Sequence, residues 1–382
     1  MPGKPWLTCE SWKSRVELNN ESLCKNLAER LETAARGMKL RLMEVCGTHT
    51  SAIFRYGLKS LLPSGIRLVS GPGCPVCVTP PAVLDRIIAY SRLPGVTVAV
   101  FGDMLKVPGS DSSLQEERAR GGDVRLIYSP MESLAIARCS RRRKVILLGV
   151  GFETTAAPLA AVASEAYQRG QDNFFFLSAL RRIIPAMEYI LRSGPPGIDG
   201  FICPGHVSTV LGLAPYRGLS RRFGVPCVIA GFEPAEILSA ILELVLMIRD
   251  NRPAAANLYP RVVSAGGNPR ARKTIEEVFR IVDAPWRGMG VIAKSGYSLR
   301  KRYEKLAAEK WFPVELPPPR TRTGCLCGEV VRGAADPADC PFFGRGCNPS
   351  RPLGPCMVSA EGSCAAWFRY SGSSRKREGA DG

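Results

Sequence analysis

The sequence predicts an α/β protein with two similar parallel-sheet α/β lobes around a cleft and a cysteine-rich domain at the C-terminal end. Three observations lead there. Short apolar runs that stop at glycine alternate with segments of helical periodicity from about residue 40 to residue 265, which is the pattern of strands joined by crossover helices. Two short strings recur, each after a predicted strand: Cys-x-x-His at 46–49 and 203–206, and Gly-Phe-Glu at 151–153 and 231–233. Six of the fourteen cysteines fall between Cys325 and Cys364, in sequence rich in Gly, Pro, Asp and Ser.

Composition bounds the function. The 382 residues suffice for two or three domains at about 150 residues each. The 52 Lys+Arg against 34 Asp+Glu give a net charge of +18, but the basic residues are dispersed. The dense runs are Arg138 to Lys144 and Arg300-Lys301-Arg302, and no nucleic-acid motif accompanies either, so a generally basic proteome or an acidic protein partner is favoured over nucleic acid. The longest apolar stretch, Ile237 to Ile248, carries Glu243 and is too short to span a bilayer, so no membrane segment is expected. The first residues, Met1 to Trp6, lack the apolar core of a signal peptide. A cytoplasmic location is expected, with cysteines kept as thiols for metal or redox chemistry.

Taken in order, residues 1–40 read as an N-terminal helical segment with Leu23, Leu27 and Leu31 at helical spacing, expected to pack with the C-terminal domain. Cys9 and Cys24 carry no partner motif. Leu40 to Val45 alternates as a strand and runs into Cys46-Gly47-Thr48-His49-Thr50. A thiol and an imidazole thus share one strand-to-helix turn, where histidine can lower a thiol pKa, act as acid or base, or bind metal. His49 and His206 are the two histidines of the chain.

Arg67-Leu68-Val69 ends a second strand at Ser70-Gly71-Pro72-Gly73-Cys74-Pro75-Val76-Cys77. A Cys-x-x-Cys on a Gly/Pro turn points both sulfurs outward, as a dithiol redox pair or as two ligands to a soft metal; the alternative is two buried structural cysteines. Pro81 to Tyr90 reads as a helix and Val96 to Phe101 as a strand ended by Gly102-Asp103. Cys46, Cys74, Cys77 and Asp103 all follow strands, so they can converge on one mouth at the carboxyl ends of a sheet. Val107 to Gly122 is expected to be a mobile loop.

The second lobe is assigned strands at Lys144–Val150, Asn173–Leu177, Gly200–Ile202 and Pro226–Ala230. Glu153 and Glu233 are acid/base or ligand-fixing groups, or else caps of the helices that follow. Cys203 has no second thiol nearby in sequence, so His206 is read as a polar lining residue rather than a metal ligand. A strongly apolar helix follows at 237–249, then a turn at Gly266–Pro269, a helix from Lys273 to Val282, a loop from Ala284 to Gly290 and a strand at Gly290–Ile292. Leu316-Pro317-Pro318-Pro319 is a rigid linker and the tail after Tyr370 is expected to be disordered. The resulting partition is 1–40, 41–143, 144–265, 266–370 and 371–382.

Cys325, Cys327, Cys340, Cys347, Cys356 and Cys364 need something to hold them in so irregular a region. The paired Cys-x2-Cys units usual for zinc are missing there. The spacing suits an iron–sulfur cluster with four thiolate ligands, leaving two thiols as a redox-active dithiol, with zinc as the alternative.

Cys46-Gly47-Thr48-His49-Thr50, Gly71 to Cys77, Gly151-Phe152-Glu153-Thr154-Thr155, Cys203-Pro204-Gly205-His206 and Gly354-Pro355-Cys356-Met357-Val358-Ser359 together resemble, in order, the motifs of the HypD family of hydrogenase formation proteins. The resemblance implies a role in maturing [NiFe] hydrogenases. It implies that the chain and the small protein HypC hold one iron while it acquires cyanide and carbon monoxide. Cyanide comes from HypE, which receives its carbamoyl precursor from HypF, and the Fe(CN)2CO unit passes to the hydrogenase large subunit. By position, Cys46, Cys74 and Cys77 become the iron-associated cysteines, with His49 beside them. The C-terminal cysteines resemble the family's [4Fe–4S] site, allotted as ligands Cys325, Cys340, Cys347 and Cys364 with Cys327 and Cys356 as the spare redox pair. Glu236 stands where the family pattern has Asp, and keeps the charge.

Overall fold

Aliphatic and β-branched runs buried on both faces form parallel strands, because only crossover helices can cover both sides of the sheet. The structure, a computed structural model, describes residues 20–193, 197–318 and 324–375. Its parallel strands are β1 (Leu40–Glu44), β2 (Ile66–Ser70), β3 (Val96–Val100), β4 (Val124–Leu126), β5 (Lys144–Gly151), β6 (Phe174–Leu180), β7 (Gly200–Cys203), β8 (Cys227–Ile229) and β9 (Ala255–Asn257). They form a five-stranded sheet of order β2-β1-β7-β8-β9 and a four-stranded sheet of order β4-β3-β5-β6. The α/β class is as expected. An antiparallel ribbon follows, β10 (Phe279–Trp286) and β11 (Gly290–Leu299). No helix among the described residues is long and apolar enough to cross a membrane.

The partition into consecutive segments does not follow the sheets. Val98 of β3 pairs with Ile146 of β5, so a boundary at 143/144 cuts through the four-stranded sheet. Leu42 of β1 pairs with Gly200 of β7, so the chain starts the five-stranded sheet, builds the four-stranded one and returns. Periodicity marks which segments are strands, but not which strand each one joins. The echoed strings change meaning accordingly: both Cys-x-x-His turns leave neighbouring strands of one sheet, β1 and β7.

The C-terminal cysteine region shares a core with the sheets. Val330, Val331, Cys356 and Met357 belong to the same buried cluster as Met43, Val69, Val98, Ile146 and Phe201. The N-terminal helix, Glu21–Ala34, is capped by the Asn20 side chain, which accepts from the Ser22 amide. It packs through Cys24, Leu27, Leu31 and Ala34 on the helix Pro234–Arg249, not on the C-terminal region. That helix is buried along Leu238, Ile241, Leu242 and Val245, and so has apolar surface left for a second partner. Leu23 points outward, 38% exposed.

Three local expectations are corrected. The helix predicted to run to Val282 spans Pro269–Val278 and gives way to β10; its apolar anchors are Ile275 and Val278. The loop Val107–Gly122 contains a helix, Leu114–Ala119, whose capping box joins Ser113 and Glu116. The tail begins as helix, since Ser363–Arg375 is continuous; residues 376–382 lie outside the described residues, as do Cys9 and Pro319.

Candidate functional site

β1 and β2 pair in register from Leu40↔Ile66 to Glu44↔Ser70, so their carboxyl ends deliver Cys46 and the Cys74-x-x-Cys77 turn to the same place. Gly73 is the contact. A Cβ there would fall on the backbone of Val45 and Cys46, and the Gly47 amide donates to the Gly73 carbonyl at 3.3 Å. Cys74 and Cys77 are joined as a disulfide with a Cα–Cα distance of 5.2 Å. Both are buried, contrary to the outward-facing pair expected from the Gly/Pro turn. The turn is covered: the Cys77 sulfur lies 4.0 Å from the Pro355 carbonyl oxygen, and the Arg287 amide donates to the Val78 carbonyl at 2.9 Å.

Cys46 caps the helix Gly47–Arg55 and is buried. Burial pushes its thiol up to about 12; Glu361 and Glu44 push the same way, while the His49 and Thr48 amides oppose. Glu44 beneath it accepts from the Cys46 amide at 3.0 Å and from the Thr50 hydroxyl. Burial raises Glu44 to about 8 against these hydrogen bonds. The sequence signal for Glu44 is weak: a carboxyl at the end of a strand that already carries the charged Arg41.

His49 is fully buried. Its Nε2 lies 2.9 Å from the Gly231 carbonyl oxygen, so Nε2 carries the proton and donates. Burial lowers the ring to about 4, which leaves it neutral, and Nδ1 has no hydrogen-bond partner among the described residues. A neutral imidazole with a free lone pair is the form that accepts a proton or a metal ion. Phe232 separates the two histidines, its centroid 4.8 Å from His49 and 4.3 Å from the exposed His206.

The glutamates divide. Glu233 and Glu236 form the capping box of Pro234–Arg249, so Glu233 takes the capping role. Glu236 also pairs with Arg261 at 2.8 Å. Glu153 opens the helix Glu153–Gln168 and accepts from the Ile183 amide at 3.2 Å; its Oε2 is buried without a partner among the described residues, and burial raises the carboxyl to about 7. Cys203 does have a neighbouring thiol, Cys227, on the adjacent strand and close enough to influence its ionisation. Both are fully buried, which makes them core residues.

All six C-terminal cysteines line one small cavity with Leu326, Val330, Phe343, Gly354 and Met357. Cys327 and Cys356 are close enough to influence each other's ionisation. The Cys364 amide donates to the Cys356 sulfur at 3.4 Å and the Leu353 amide to the Cys347 sulfur at 3.3 Å. Burial is the main cause that raises Cys325, to about 11. Among the described residues no three His, Cys, Asp or Glu side chains converge as on a single metal ion. The same region reaches the first centre through Thr48, Asp103 and Ser359, which the sequence marks, and through Ser51, Ala360 and Glu361, which no motif contains. Thr48 donates to Glu361 at 2.8 Å, Ser51 to the Ala360 carbonyl at 2.9 Å, and Ser359 to Asp103 at 3.1 Å.

The chain is 42% identical over 362 residues to the hydrogenase maturation factor HypD of Azotobacter vinelandii, covering 93% of this chain and 96% of that protein. It is 43% identical over 336 residues to that of Escherichia coli, covering 87% and 89%, and 39% identical over 363 residues to that of Cupriavidus necator, covering 93% and 96%. The family model described as "HypD: Hydrogenase formation hypA family" matches residues 22–371, and the chain belongs to that family.

Proposed function

We propose that the chain acts in hydrogenase maturation, as a scaffold on which one iron is held as cargo and fitted with its diatomic ligands. The supporting observation is the Gly73 seat, which fixes Cys46 against the Cys74–Cys77 turn. Three soft sulfur donors on adjoining turns suit an iron carrying strong-field ligands; with Cys74 and Cys77 bonded to each other they do not yet converge on one ion. In this reading the disulfide takes up two electrons and two protons to give the Cys74 and Cys77 thiols, which join Cys46 at the iron. His49 stands beside these cysteines, held neutral by burial and with no partner on Nδ1 among the described residues. His206 lines the mouth beyond Phe232. Glu153, raised by burial to about 7 and with Oε2 unpartnered among the described residues, is the proton-handling group of this reading.

The six cysteines that line the C-terminal cavity are the donor type that a [4Fe–4S] cluster takes. Such a cluster takes one thiolate per iron, so its ligands surround it and do not meet at one ion. Cys325, Cys340, Cys347 and Cys364 are the proposed ligands, with the neighbouring pair Cys327 and Cys356 as the dithiol between cluster and cleft. When bound, the cluster supplies electrons. HypC is the proposed partner at the iron, HypE (fed by HypF) the cyanide donor, and the hydrogenase large subunit the destination of the Fe(CN)2CO unit. A cytoplasmic location goes with these partners, and neither nucleic acid nor a membrane is needed.

The bonded Cys74–Cys77 pair favours one competing reading, a thiol–disulfide oxidoreductase that needs no HypC. Purification with HypC without oxygen, followed by infrared spectroscopy, separates the two. The scaffold gives cyanide and carbonyl stretching bands in the complex; a complex without them, from a chain that reduces protein disulfides alone, overturns the scaffold reading.

A further inference from the structure

The tip of the β10–β11 ribbon lies between the two thiol centres and touches both. Arg287 holds the segment just after Cys77: its amide donates to the Val78 carbonyl at 2.9 Å and its Nε to the Thr79 carbonyl at 3.0 Å. Gly288, at φ +76°, packs on the backbone of Gly328, the residue after Cys327. A side chain there would meet backbone atoms at 2.5 to 2.9 Å, so the ribbon and the cysteine-bearing helix Cys327–Val331 are in direct backbone contact.

The Arg287 guanidinium is close enough to Cys325, Cys327 and Cys356 to interact with each electrostatically. Its Nη2 is buried with no hydrogen-bond partner among the described residues. Asp85, also within electrostatic reach, has its two carboxylate oxygens engaged by the Ser110 amide and hydroxyl at 2.6 and 2.8 Å. A buried guanidinium with a spare N–H and no carboxylate against it is unfavourable unless an anion stands nearby. Candidates within electrostatic reach are the sulfurs; as thiols they resist ionisation, Cys327 through its neighbour Cys356 and through burial, Cys325 chiefly through burial.

We propose that Arg287 is a tuning residue for a sulfur-rich anionic group in the cysteine cavity, donating through Nη2 and supplying a fixed positive charge. This rests on the cluster reading above. A four-thiolate iron–sulfur cluster carries net negative charge and gains one more unit when reduced, and its potential responds to nearby charge and to hydrogen bonds on its sulfurs. A cation at Arg287 therefore favours the reduced form. Its anchorage to the residues after Cys77 also holds the disulfide turn beside the group that it tunes.

The test compares the wild-type chain with Arg287→Met and Arg287→Lys, purified without oxygen, by iron and sulfide content and by spectroelectrochemical titration. The expected result is equal loading in all three, a more negative midpoint potential for Met, and a return toward wild type for Lys. A loaded Met variant with the wild-type potential overturns the inference. Should Met not load, Arg287→Gln, which removes the charge and keeps a polar side chain, decides the matter by the same comparison. A wild-type chain that takes up neither iron nor sulfide overturns the cluster reading, and this inference with it.

Discussion

The Cys77 sulfur lies 4.0 Å from the carbonyl oxygen of Pro355, the residue before Cys356. The disulfide and the cysteine cavity thus share a wall one residue thick. On the proposed route, electrons leaving the Cys327/Cys356 pair would reach Cys77 across this contact. Replacing Cys327 with Ala should abolish maturation while iron and sulfide content stay at the wild-type level. Unchanged maturation in a hydrogenase activity assay would sink this electron route.

Gly73 carries the alignment of Cys46 with Cys74. Gly73→Ala forces a methyl into the backbone of residues 45–46 and should cost about 2–3 kcal/mol in urea unfolding. Gly95 has φ +75° and nothing within 4 Å, so Gly95→Ala should cost only about 1 kcal/mol, from backbone strain. Equal costs would mean that the seat is looser than its geometry indicates.

Glu117 pins the segment between Val107 and Gly122. Its carboxylate accepts from Arg92 at 2.9 Å and Arg120 at 2.8 Å, and from the Ser112 hydroxyl. The Arg92 hydrogen bond leads the causes that lower Glu117 to about 2, against the effect of burial. A depressed carboxylate stabilises the fold above its unfolded pKa of about 4.3, and that contribution disappears as pH falls toward 2. Both arginines are substantially exposed, so Glu117→Gln should cost only about 1–2 kcal/mol at pH 7. The gap between variant and wild type should close between pH 4.5 and 2; a gap constant across that range would refute the assignment.

Leu31 is fully buried between the N-terminal helix and Pro234–Arg249, whereas Leu23 is 38% exposed. Leu31→Ala should cost about 2–5 kcal/mol and Leu23→Ala less than about 1 kcal/mol. Thermal unfolding checks the difference.

Cys46 and His49 were legible because an apolar run meeting Cys-Gly-Thr-His marks a strand-to-helix turn, and the fold keeps that turn. The burial of Cys74 and Cys77 was not, because the cover comes from Pro355 and Arg287, more than 200 residues further along the sequence. For the same reason Glu361, which meets Thr48, carries no local signal. Strands were visible through their composition, but the neighbours of β1 and β3 were not, since pairing partners depend on the order in which distant strands reach the sheet.

The pairing of Leu42 with Gly200 also sets a timetable for synthesis. When the ribosome has made β6, the four-stranded sheet β4-β3-β5-β6 has all its strands. At that moment β1 and β2 are still a two-stranded fragment, marginal in water, with one edge of β1 open. The inserted unit can fold first, and the host sheet closes only when β7 emerges. The nascent chain must therefore keep β1 unpaired on one side, and unaggregated, through more than 150 residues of translation.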